Sequence, residues 1–553
     1  MTTNANDTYT SPLASRNASP EMLKIWSPRH KFNTWRRIWL AIAEAQHEVT
    51  KDRDTPLVSK EQVEELRAVV ERGITDEELA RASEIERDLR HDVMAHVHCL
   101  GESCPKAKPI IHLGCTSQDV VCNADLLAIH ASVMLIEKKR ERAVAALGVE
   151  ADKHKHVPTL GFTHYQTAQP VTVGRRLVGY ASELCEVEET LHLYPVTVML
   201  RGFRGATGTQ ASFLQLLGSH EAVESFEARA IARLLPSDPD VDDLRDIVVA
   251  DNDAQLLAER DRRAARQRQY GNVAGAERWE AMSVEELRAH AFQTIIEYRS
   301  FPLTGQTYPR SFDARVLAGL ANLAAVLHKI ATDIRLLSNR KEIDEPFGKN
   351  QIGSSAMPYK RNPMKCERIC GLTRFVMNLV GNAYDTAATQ WLERTLDDSS
   401  NRRLSLPEAF LALDGALDLM HQVASGLVVN EAMVRKNLMA ELPFLATENI
   451  LMEAVKAGGD RQDLHEKIRV HAQAAGHRVK QEGLDNDLIE WLRGDPAFAP
   501  VAHLLTEDAL LDPMKYVGRS VEQTERFIAE VVEPLRERYA DELASLGGSD
   551  RGV

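Results

Sequence analysis

The chain has 553 residues, of which 44% are hydrophobic and 27% charged, and its formal net charge is −14. This length is enough for a large core and two or three domains. The acidic balance argues against a nucleic-acid-binding protein, which needs a basic surface. No run of eighteen apolar residues occurs and the N-terminal segment is polar, so we expect no membrane insertion and no secretion, and we place the protein in the cytoplasm.

Helical periodicity dominates the chain. Segments near 121–153 and 172–199 are helix-like, and apolar residues then recur at steps of three and four in three further stretches. These stripes run from Val316 to Leu337, from Ile369 to Val380 and from Leu406 to Leu427. Pro407 suits the first turn of the last helix. Because alternating β-branched runs are scarce, we predict an all-α fold with a bundle of long helices, and apolar residues on several helix faces indicate oligomerisation through it.

The helical pattern suggests three parts. We divide the chain into an N-terminal helical domain (1–116), a central long-helix bundle (117–429) and a C-terminal helical domain (430–553). The segment from about 219 to 301 has a mixed-charge composition. We expect it to form a helical excursion on the surface, which is either a partner-binding arm or a solvated insertion that adds little loop entropy.

Polar loops between the helices carry the candidate chemistry. Residues Gly114–Asp119 (GCTSQD) offer two hydroxyls and an amide ahead of a helix, which suits either helix capping or carboxylate binding. The segment GFTHYQTAQP contains His164, which is either structural or a general acid or base. Residues Gly202–Gln210 (GFRGATGTQ) superficially suggest a nucleotide loop, but they lack the lysine and the spacing of a Walker motif.

A long loop from Gly348 to Pro363, GKNQIGSSAMPYKRNP, separates two strongly helical segments. Loops of this length inside a compact domain are commonly lids or binding loops. Gly353 and the serines after it allow a sharp turn that offers N–H groups and hydroxyls together, while Lys360 and Arg361 add cationic donors. This combination favours binding or activation of an anion.

A second cationic segment, LERTLDDSSNRR, follows a predicted helix. It places Arg394, Ser399, Arg402 and Arg403 in one short polar stretch. Guanidinium groups there suit forked hydrogen bonds to phosphate or carboxylate. The alternative is a salt-bridged surface in which the neighbouring aspartates neutralise the arginines.

Together these loops resemble the adenylosuccinate lyase family, a branch of the fumarase and aspartase superfamily. GSSAMPYKRNP is similar to the superfamily signature. The likeness to this branch extends through SPLASR, RHDVMAHVH, IHLGCTSQD, TLGFTHYQ, GTQASF, LTGQTY, LERTLDDSSNRR, ELPFLATENI and KAGGDRQDLHEKIR. The resemblance implies a three-domain all-α fold and a homotetramer whose active sites are built from three subunits. It also implies cleavage of adenylosuccinate to AMP and fumarate, and of succinylaminoimidazole carboxamide ribotide, without cofactor or metal.

The resemblance also assigns roles to residues. His164 matches the general acid and Ser354 the general base, which removes a proton beside a succinyl carboxylate. Lys360, Asn362 and the Thr116/Ser117 loop stabilise the resulting carbanion. The positions that match substrate-binding residues are Arg16, Asn17, Arg90, His91, Asp92, Thr116, Ser117, Thr163, Gln210, Gln306, Arg368, Arg394, Ser399 and Arg403. Of these, Arg16, Arg394, Ser399 and Arg403 are expected to hold the phosphate, because a bidentate guanidinium matches its geometry.

The chain departs from the family pattern at two places. Asn17 stands where relatives often have tyrosine, and the 219–301 region is longer than the family pattern by about fifty residues, beyond the usual loop range. Two alternatives to the assignment stay open. Another fumarate-releasing lyase, such as argininosuccinate lyase, would share the signature loop but not SPLASR or LERTLDDSSNRR. A catalytically silent helical scaffold would share the fold alone, but retention of His164 and Ser354 argues against it.

Overall fold

A computed structural model describes residues 7–192, 198–236, 242–250, 253–506 and 512–540. Within these ranges the chain is almost entirely helical, as the periodicity predicts. The helices up to residue 299 are α1 (Pro20–Ile25), α2 (Pro28–Thr50), α3 (Lys60–Arg72), α4 (Asp76–Leu89), α5 (Asp92–Ser103), α6 (Ser117–Lys153), α7 (Val173–His192), α8 (Ala211–Leu217), α9 (His220–Ala232), α10 (Asp242–Val249), α11 (Asp253–Gln269), α12 (Val273–Glu280) and α13 (Val284–Arg299).

The later part of the chain holds the other long helices and a set of shorter ones. They are α14 (Ser311–Asn339), α15 (Met364–Ala388), α16 (Asp397–Ser425), α17 (Glu431–Leu445), α18 (Thr447–Lys456), α19 (Arg461–His477), α20 (Leu488–Gly494), α21 (Ser520–Phe527) and α22 (Glu533–Arg538). Two antiparallel pairs of strands accompany them. The strands are β1 (Pro158–Thr163) with β2 (Gln166–Thr172), and β3 (Ile343–Asp344) with β4 (Val428–Val429).

The chain divides into two compact units. Unit 1 comprises Met1–Ile136, Glu189–Ala321 and Val376–Ala412, and unit 2 comprises Glu137–Glu188, Asn322–Phe375 and Leu413–Val553. The boundaries fall mainly inside the long helices α6, α14, α15 and α16. The division into three domains at residues 116 and 429 stays a prediction.

The long helices bury their predicted stripes to different extents. In α14, every member of the stripe from Val316 to Leu337 is buried, as its three-four spacing predicts. In α15, Ile369 and Val376 are buried, but Phe375 keeps 38% of its surface exposed. The expectation that Pro407 opens a helix is wrong, because α16 starts at Asp397 and Pro407 lies inside it. The first turn instead holds two aspartates, which suit the positive end of the helix dipole.

The insertion also differs from its prediction. Helix α9 is core rather than surface, since its residues from Phe226 to Ala232 are all buried. Phe226 packs against Phe213 with ring centroids 4.8 Å apart, and the buried Glu227 is neutralised by Arg204 at 2.8 Å. Charged residues can occupy such a helix because they are paired inside the protein. Helices α10 and α13 pack on α9, and α11 packs on α12, whereas 237–241 and 251–252 of the acidic stretches lie outside the described residues.

Helix α4 in unit 1 begins with a reciprocal capping box. The hydroxyl of Thr75 accepts the Glu78 N–H, and the Glu78 carboxylate accepts the Thr75 N–H. Burial alone would raise the pKa of Glu78, but hydrogen bonds from Arg72, Ser103, the Thr75 N–H and Arg36 outweigh it and lower the pKa to about 2. Glu78 is therefore ionised at neutral pH and joins helices α2, α3 and α4.

Unit 2 contains a separate apolar cluster formed by α18, α19, α20 and the turns after them. Its fully buried members include Leu488, Leu492, Phe498 and Leu505. Elsewhere in this unit, Lys139 forms ion pairs with Asp414 at 2.5 Å and with Asp418 at 2.9 Å. These charges are buried, so each depends on its partner to offset the loss of hydration.

Two helices, α6 and α14, are long and apolar enough to cross a membrane by length and composition. Their most apolar windows are 61% and 56% buried inside the protein. Burial of this kind is typical of core helices, because a membrane-spanning helix directs its apolar side chains to lipid.

Candidate active site

His164 occupies the tip of the β1–β2 hairpin. Thr163 and Gln166 form the last strand pair, so His164 and Tyr165 are the two residues of the turn. Both have positive φ, 54° and 55°, which is the type I′ arrangement that usually takes asparagine or glycine. The side chains of both turn residues are exposed, and within the described part of the chain His164 makes no hydrogen bond. The fold therefore presents the imidazole at the end of a short, rigid ribbon.

The signature loop, residues 348–363, is closed at its base by a hydrogen bond between Asn362 and Gly353. The side-chain amide of Asn362 donates to the Gly353 carbonyl at 2.7 Å. A Cβ atom at Gly353 would lie 2.2 Å from the Lys360 carbonyl oxygen and 3.1 Å from the Arg361 Cα. Only glycine allows this backbone approach. The segment 353–362 is thereby held as a compact loop although most of its side chains are exposed.

Ser354 sits in a small cradle of backbone amides. Its Oγ accepts hydrogen bonds from the N–H of Met357 at 3.1 Å and of Ala356 at 3.4 Å. Two N–H donors on a hydroxyl oxygen favour its negatively charged form. The Lys360 side chain is exposed and has no ion-pair partner among the residues described.

The exit of the loop is fixed by a buried acid. The Glu345 carboxylate accepts the N–H of Lys365 at 3.0 Å and of Cys366 at 2.9 Å, so it caps the start of α15. Arg368 follows in the same helix. The start of α15, and with it the end of the signature loop, is thus held by a charge-assisted contact.

Unit 1 contains a cationic pocket of about 220 Å³. Three of the predicted phosphate-binding residues, Arg394, Ser399 and Arg403, line it together. The other polar residues in its wall are His30, Lys31, Thr34, Gln118, Asp125, Arg310 and Arg402. We call this the arginine pocket. Arg394 lies in the stretch between α15 and α16, after a helix as predicted, whereas Ser399 and Arg403 lie on α16 itself.

The arginines of this pocket differ in how they are neutralised. Arg402 is buried and bonded to Asp313 at 2.6 Å and Asp125 at 3.0 Å, and Arg310 contacts Asp398 at 2.6 Å. These two therefore serve the structure, but the partners of Arg402 are Asp125 and Asp313 rather than the neighbouring aspartates that the salt-bridge alternative expects.

Arg394 and Arg403 keep more of their hydrogen-bonding capacity. Arg394 donates to Gln306 Oε1 at 3.2 Å and lies 3.3 Å from Asp398, which Arg310 already holds. Arg403 is 59% exposed, and its single carboxylate contact among the described residues is with Asp92 at 3.0 Å. Both guanidinium groups can thus bind a further anion.

Lys31 lines the same pocket, and the sequence alone did not identify it. Its ammonium lies over the rings of Phe32 and Trp35, 5.2 and 4.8 Å from their centroids. Burial, followed by repulsion from Arg403, lowers the pKa of Lys31, while Asp125 opposes this shift. No sequence signal links a lysine in α2 to an arginine in α16, because only the tertiary fold brings them together.

The predicted residues near α5 form a connected group. Arg90 ends α4 with φ 55°, and His91 caps α5 by accepting the Met94 N–H on Nδ1 at 3.3 Å. The ring proton therefore belongs on Nε2, which lies 3.4 Å from Ser117 Oγ and donates to it. With the Asp92–Arg403 ion pair, these contacts connect the Ser117 loop to the arginine pocket.

Two predicted residues at the N-terminus are placed differently. The Arg16 side chain is exposed, makes no hydrogen bond to the described residues and is not part of the arginine pocket. The Asn17 side chain donates to the Pro12 carbonyl at 2.8 Å and so closes its own turn.

Gln210 is also engaged within unit 1. Its amide donates to Glu227 at 3.0 Å and to the Phe203 carbonyl at 3.1 Å. The side-chain nitrogen is thus already used by the protein, and the carbonyl oxygen is the atom that remains for a ligand.

Comparison with known proteins identifies the family. A family model described as lyase matches residues 14–236 and 247–378, and one described as adenylosuccinate lyase C-terminus matches 443–527. The adenylosuccinate lyase of Saccharomyces cerevisiae is 42% identical over 545 residues, covering 98% of this chain and 99% of the relative. The chain belongs to the adenylosuccinate lyase family. As a member, it is a carbon–nitrogen lyase.

More distant relatives agree with this assignment. The adenylosuccinate lyases of Schistosoma mansoni and Pyrococcus horikoshii are 39% and 29% identical, covering 97% and 95% of this chain and 97% and 99% of their own. Among solved structures, a fumarate lyase from Mesorhizobium sp. BNC1 is 20% identical with a TM-score of 0.68, covering 95% of this chain and all of that one. This likeness shows the all-α fumarase-like fold.

The residues predicted for an adenylosuccinate lyase site divide between the two units. Unit 1 holds Arg16, Asn17, Arg90, His91, Asp92, Thr116, Ser117, Gln210, Gln306, Arg394, Ser399 and Arg403. Unit 2 holds Thr163, His164, Ser354, Lys360, Asn362 and Arg368. The predicted phosphate-binding groups are thus in unit 1, and the predicted acid and base are in unit 2 with Lys360 and Asn362.

Proposed function

We propose that this chain cleaves adenylosuccinate into AMP and fumarate, and succinylaminoimidazole carboxamide ribotide into its carboxamide ribotide and fumarate. The observation that carries the proposal is the 42% identity to a named adenylosuccinate lyase across 98% of the chain. The reaction is a β-elimination: a base removes a proton beside a carboxylate, and the C–N bond to the purine nitrogen then breaks.

Ser354 is the proposed base. A serine hydroxyl is a weak base at its ordinary pKa and requires activation. The N–H groups of Ala356 and Met357 already point at its oxygen and would stabilise the alkoxide without reorganisation. Lys360 and Asn362 belong to the same closed loop, where an ammonium and an amide are suited to a carboxylate that gains charge as the proton leaves.

His164 is the proposed acid. Its place at the tip of a two-residue turn leaves the ring exposed. With no hydrogen bond to the described residues, the imidazole can direct a ring N–H to the departing nitrogen of the substrate. The neighbouring Thr163 closes the hairpin and fixes the position from which the ring projects.

The arginine pocket is the proposed phosphate site. Arg394 and Arg403 supply forked donors and Ser399 a hydroxyl, and all three line one cavity. The nucleotide phosphate carries the charge that such a set matches. Lys31 adds a partly desolvated cation to the same wall, and we include it in the site. Arg16, which has no ion pair to the described residues, is the remaining proposed phosphate ligand.

A homotetramer with active sites shared between three subunits completes the proposal. Helix α15 supports it, since Phe375 and Tyr384 are 38% and 57% exposed on a helix that also has a buried stripe. Exposed aromatic side chains on a long helix are suited to association with other copies. We place the enzyme in the cytoplasm.

The direct test is an absorbance assay on the purified chain with adenylosuccinate, with AMP and fumarate measured as products. Stoichiometric release of both is the expected result, and the ribotide substrate should be cleaved by the same preparation. Activity on argininosuccinate or malate with none on adenylosuccinate would assign the chain to another branch. A folded tetramer inactive on all of them would instead indicate a helical scaffold.

A further inference from the structure

Asp119 is a fully buried carboxylate in the first turn of α6. Its Oδ1 accepts hydrogen bonds from the Arg201 guanidinium and from the N–H groups of Arg204 at 2.8 Å and Gly205 at 3.1 Å. Its Oδ2 accepts the N–H of Thr116 at 2.7 Å. One carboxylate therefore holds backbone amides from two loops that are far apart in sequence.

Arg201 extends the connection to a third loop. The guanidinium is fully buried beside Asp119. Its Nη2 donates to the carbonyl of Gly205 at 2.8 Å and to that of Gly305 at 2.8 Å. The backbone N–H of Arg201 donates to Asn123 at 2.7 Å, which ties the loop to α6 as well.

Each of the three loops carries a proposed substrate-binding residue. The first, which we call the Ser117 loop, leads into α6 at Ser117. The second ends at Gln210, and the third contains Gln306 directly after Gly305. Gln306 in turn accepts a hydrogen bond from Arg394 in the arginine pocket, at 3.2 Å. A continuous set of contacts thus runs from the buried carboxylate to the proposed phosphate site.

We propose that the Asp119–Arg201 pair is a positioning centre that holds the substrate-binding loops of the enzyme in fixed positions relative to one another. Neither residue contacts the substrate; the carboxylate places the Ser117 loop, and the guanidinium places the Gln306 loop. That these loops bind adenylosuccinate rests on the proposed function. A buried ion pair contributes little net stability compared with well-packed apolar residues, so positioning accounts for the pair better than stability does.

The substitution Asp119→Asn tests the carboxylate. Three donors surround Oδ1, so the asparagine oxygen faces them and its NH₂ group faces the Thr116 N–H, donor against donor. We expect kcat/KM for adenylosuccinate to fall about 10- to 100-fold. Because the Ser117 loop is already displaced, Ser117→Ala should reduce kcat/KM far less in the Asp119→Asn background than in the wild type.

The matched control is Asp414→Asn. Asp414 is also fully buried and also pairs with a cation, Lys139 at 2.5 Å, but it lies within α16 and Lys139 within α6, outside the three loops. The free-energy effects of Asp414→Asn and Ser117→Ala on kcat/KM should be additive in the double variant. A general loss of folding stability would alter the effect of Ser117→Ala alike in both aspartate variants. A positioning role predicts that only Asp119→Asn alters it.

A second variant separates the two halves of the pair. Arg201→Lys keeps a cation beside Asp119, but a single ammonium cannot reach the carbonyls of both Gly205 and Gly305 in the guanidinium's place. In the Arg201→Lys background, we expect Gln306→Ala to reduce kcat/KM less than it does in the wild type. Ser117→Ala should reduce kcat/KM by the same factor in both backgrounds.

A measurement without substrate distinguishes this inference from the proposed function. In Asp119→Asn, hydrogen exchange at the Thr116 amide, which loses its acceptor, should accelerate by at least about 10-fold, and in Asp414→Asn it should not. Unchanged exchange at the Thr116 amide in Asp119→Asn, or strictly additive effects with Ser117→Ala, would overturn the positioning role. Absence of wild-type turnover would instead refute only the proposed reaction, since the exchange result would still stand.

Discussion

Replacement of Gly353 by alanine should strongly reduce turnover without unfolding the enzyme. The added Cβ would lie 2.2 Å from the Lys360 carbonyl oxygen, so the loop must open at the contact that Asn362 closes. Separation to ordinary contact needs a shift of about 1 Å, and a misplacement of that size near the reacting groups lowers turnover by about 100-fold. Ser354 is the next residue, so its hydroxyl moves with the displaced backbone.

The control is Gly348→Ala in the same loop. There the nearest neighbour of the added Cβ is the Gln351 Cβ at 3.5 Å, an ordinary contact. We expect kcat on adenylosuccinate to fall about 100-fold in Gly353→Ala and to stay close to wild type in Gly348→Ala, with similar thermal midpoints for both. Equal activity in the two variants would refute the reasoning, as would a large loss of stability in Gly353→Ala.

His164→Asn should reduce turnover by about 10²- to 10⁴-fold while size-exclusion chromatography still shows the wild-type oligomer; normal rates would remove His164 from the mechanism. Ser354→Ala should reduce fumarate release over a similar range, about 10²- to 10⁴-fold, and retained release would exclude it as the base. For Glu78→Gln, the depressed pKa of about 2 against an ordinary value of 4.5 means that the carboxylate stabilises the fold above pH 4.5 and loses this effect as pH falls towards 2. The urea midpoints of wild type and Glu78→Gln should therefore differ most at pH 7 and converge near pH 2, and a constant difference would contradict the assignment.

The sequence predicted the features that depend on local spacing. The stripe from Val316 to Leu337 requires only the helical period, and every member of it is buried. The start of α16 was misplaced because Pro407 is compatible with a first turn, whereas the polar residues from Asp397 onward carry no apolar stripe to mark them as helix. Helix boundaries set by polar residues are harder to infer than buried faces.

Contacts between distant segments were not accessible from the sequence. Glu227 in α9 looked like part of a charged surface, but its partner Arg204 belongs to another loop. The glycines of the Gly202–Gln210 loop resembled a nucleotide-binding pattern, yet the loop surrounds the carboxylate of Asp119 instead. In each case the local sequence indicates which environment a residue usually prefers. Only the tertiary fold shows which distant residue it contacts.

The β1–β2 turn has a consequence for laboratory evolution of this enzyme. Both residues at its tip adopt a left-handed backbone conformation that costs non-glycine residues about 1–2 kcal/mol each. Selection for heat tolerance alone would therefore enrich Asn-Gly at these two positions and discard the imidazole. Libraries screened for thermal endurance should keep His164 invariant or include a growth requirement for purines, so that survivors remain enzymes.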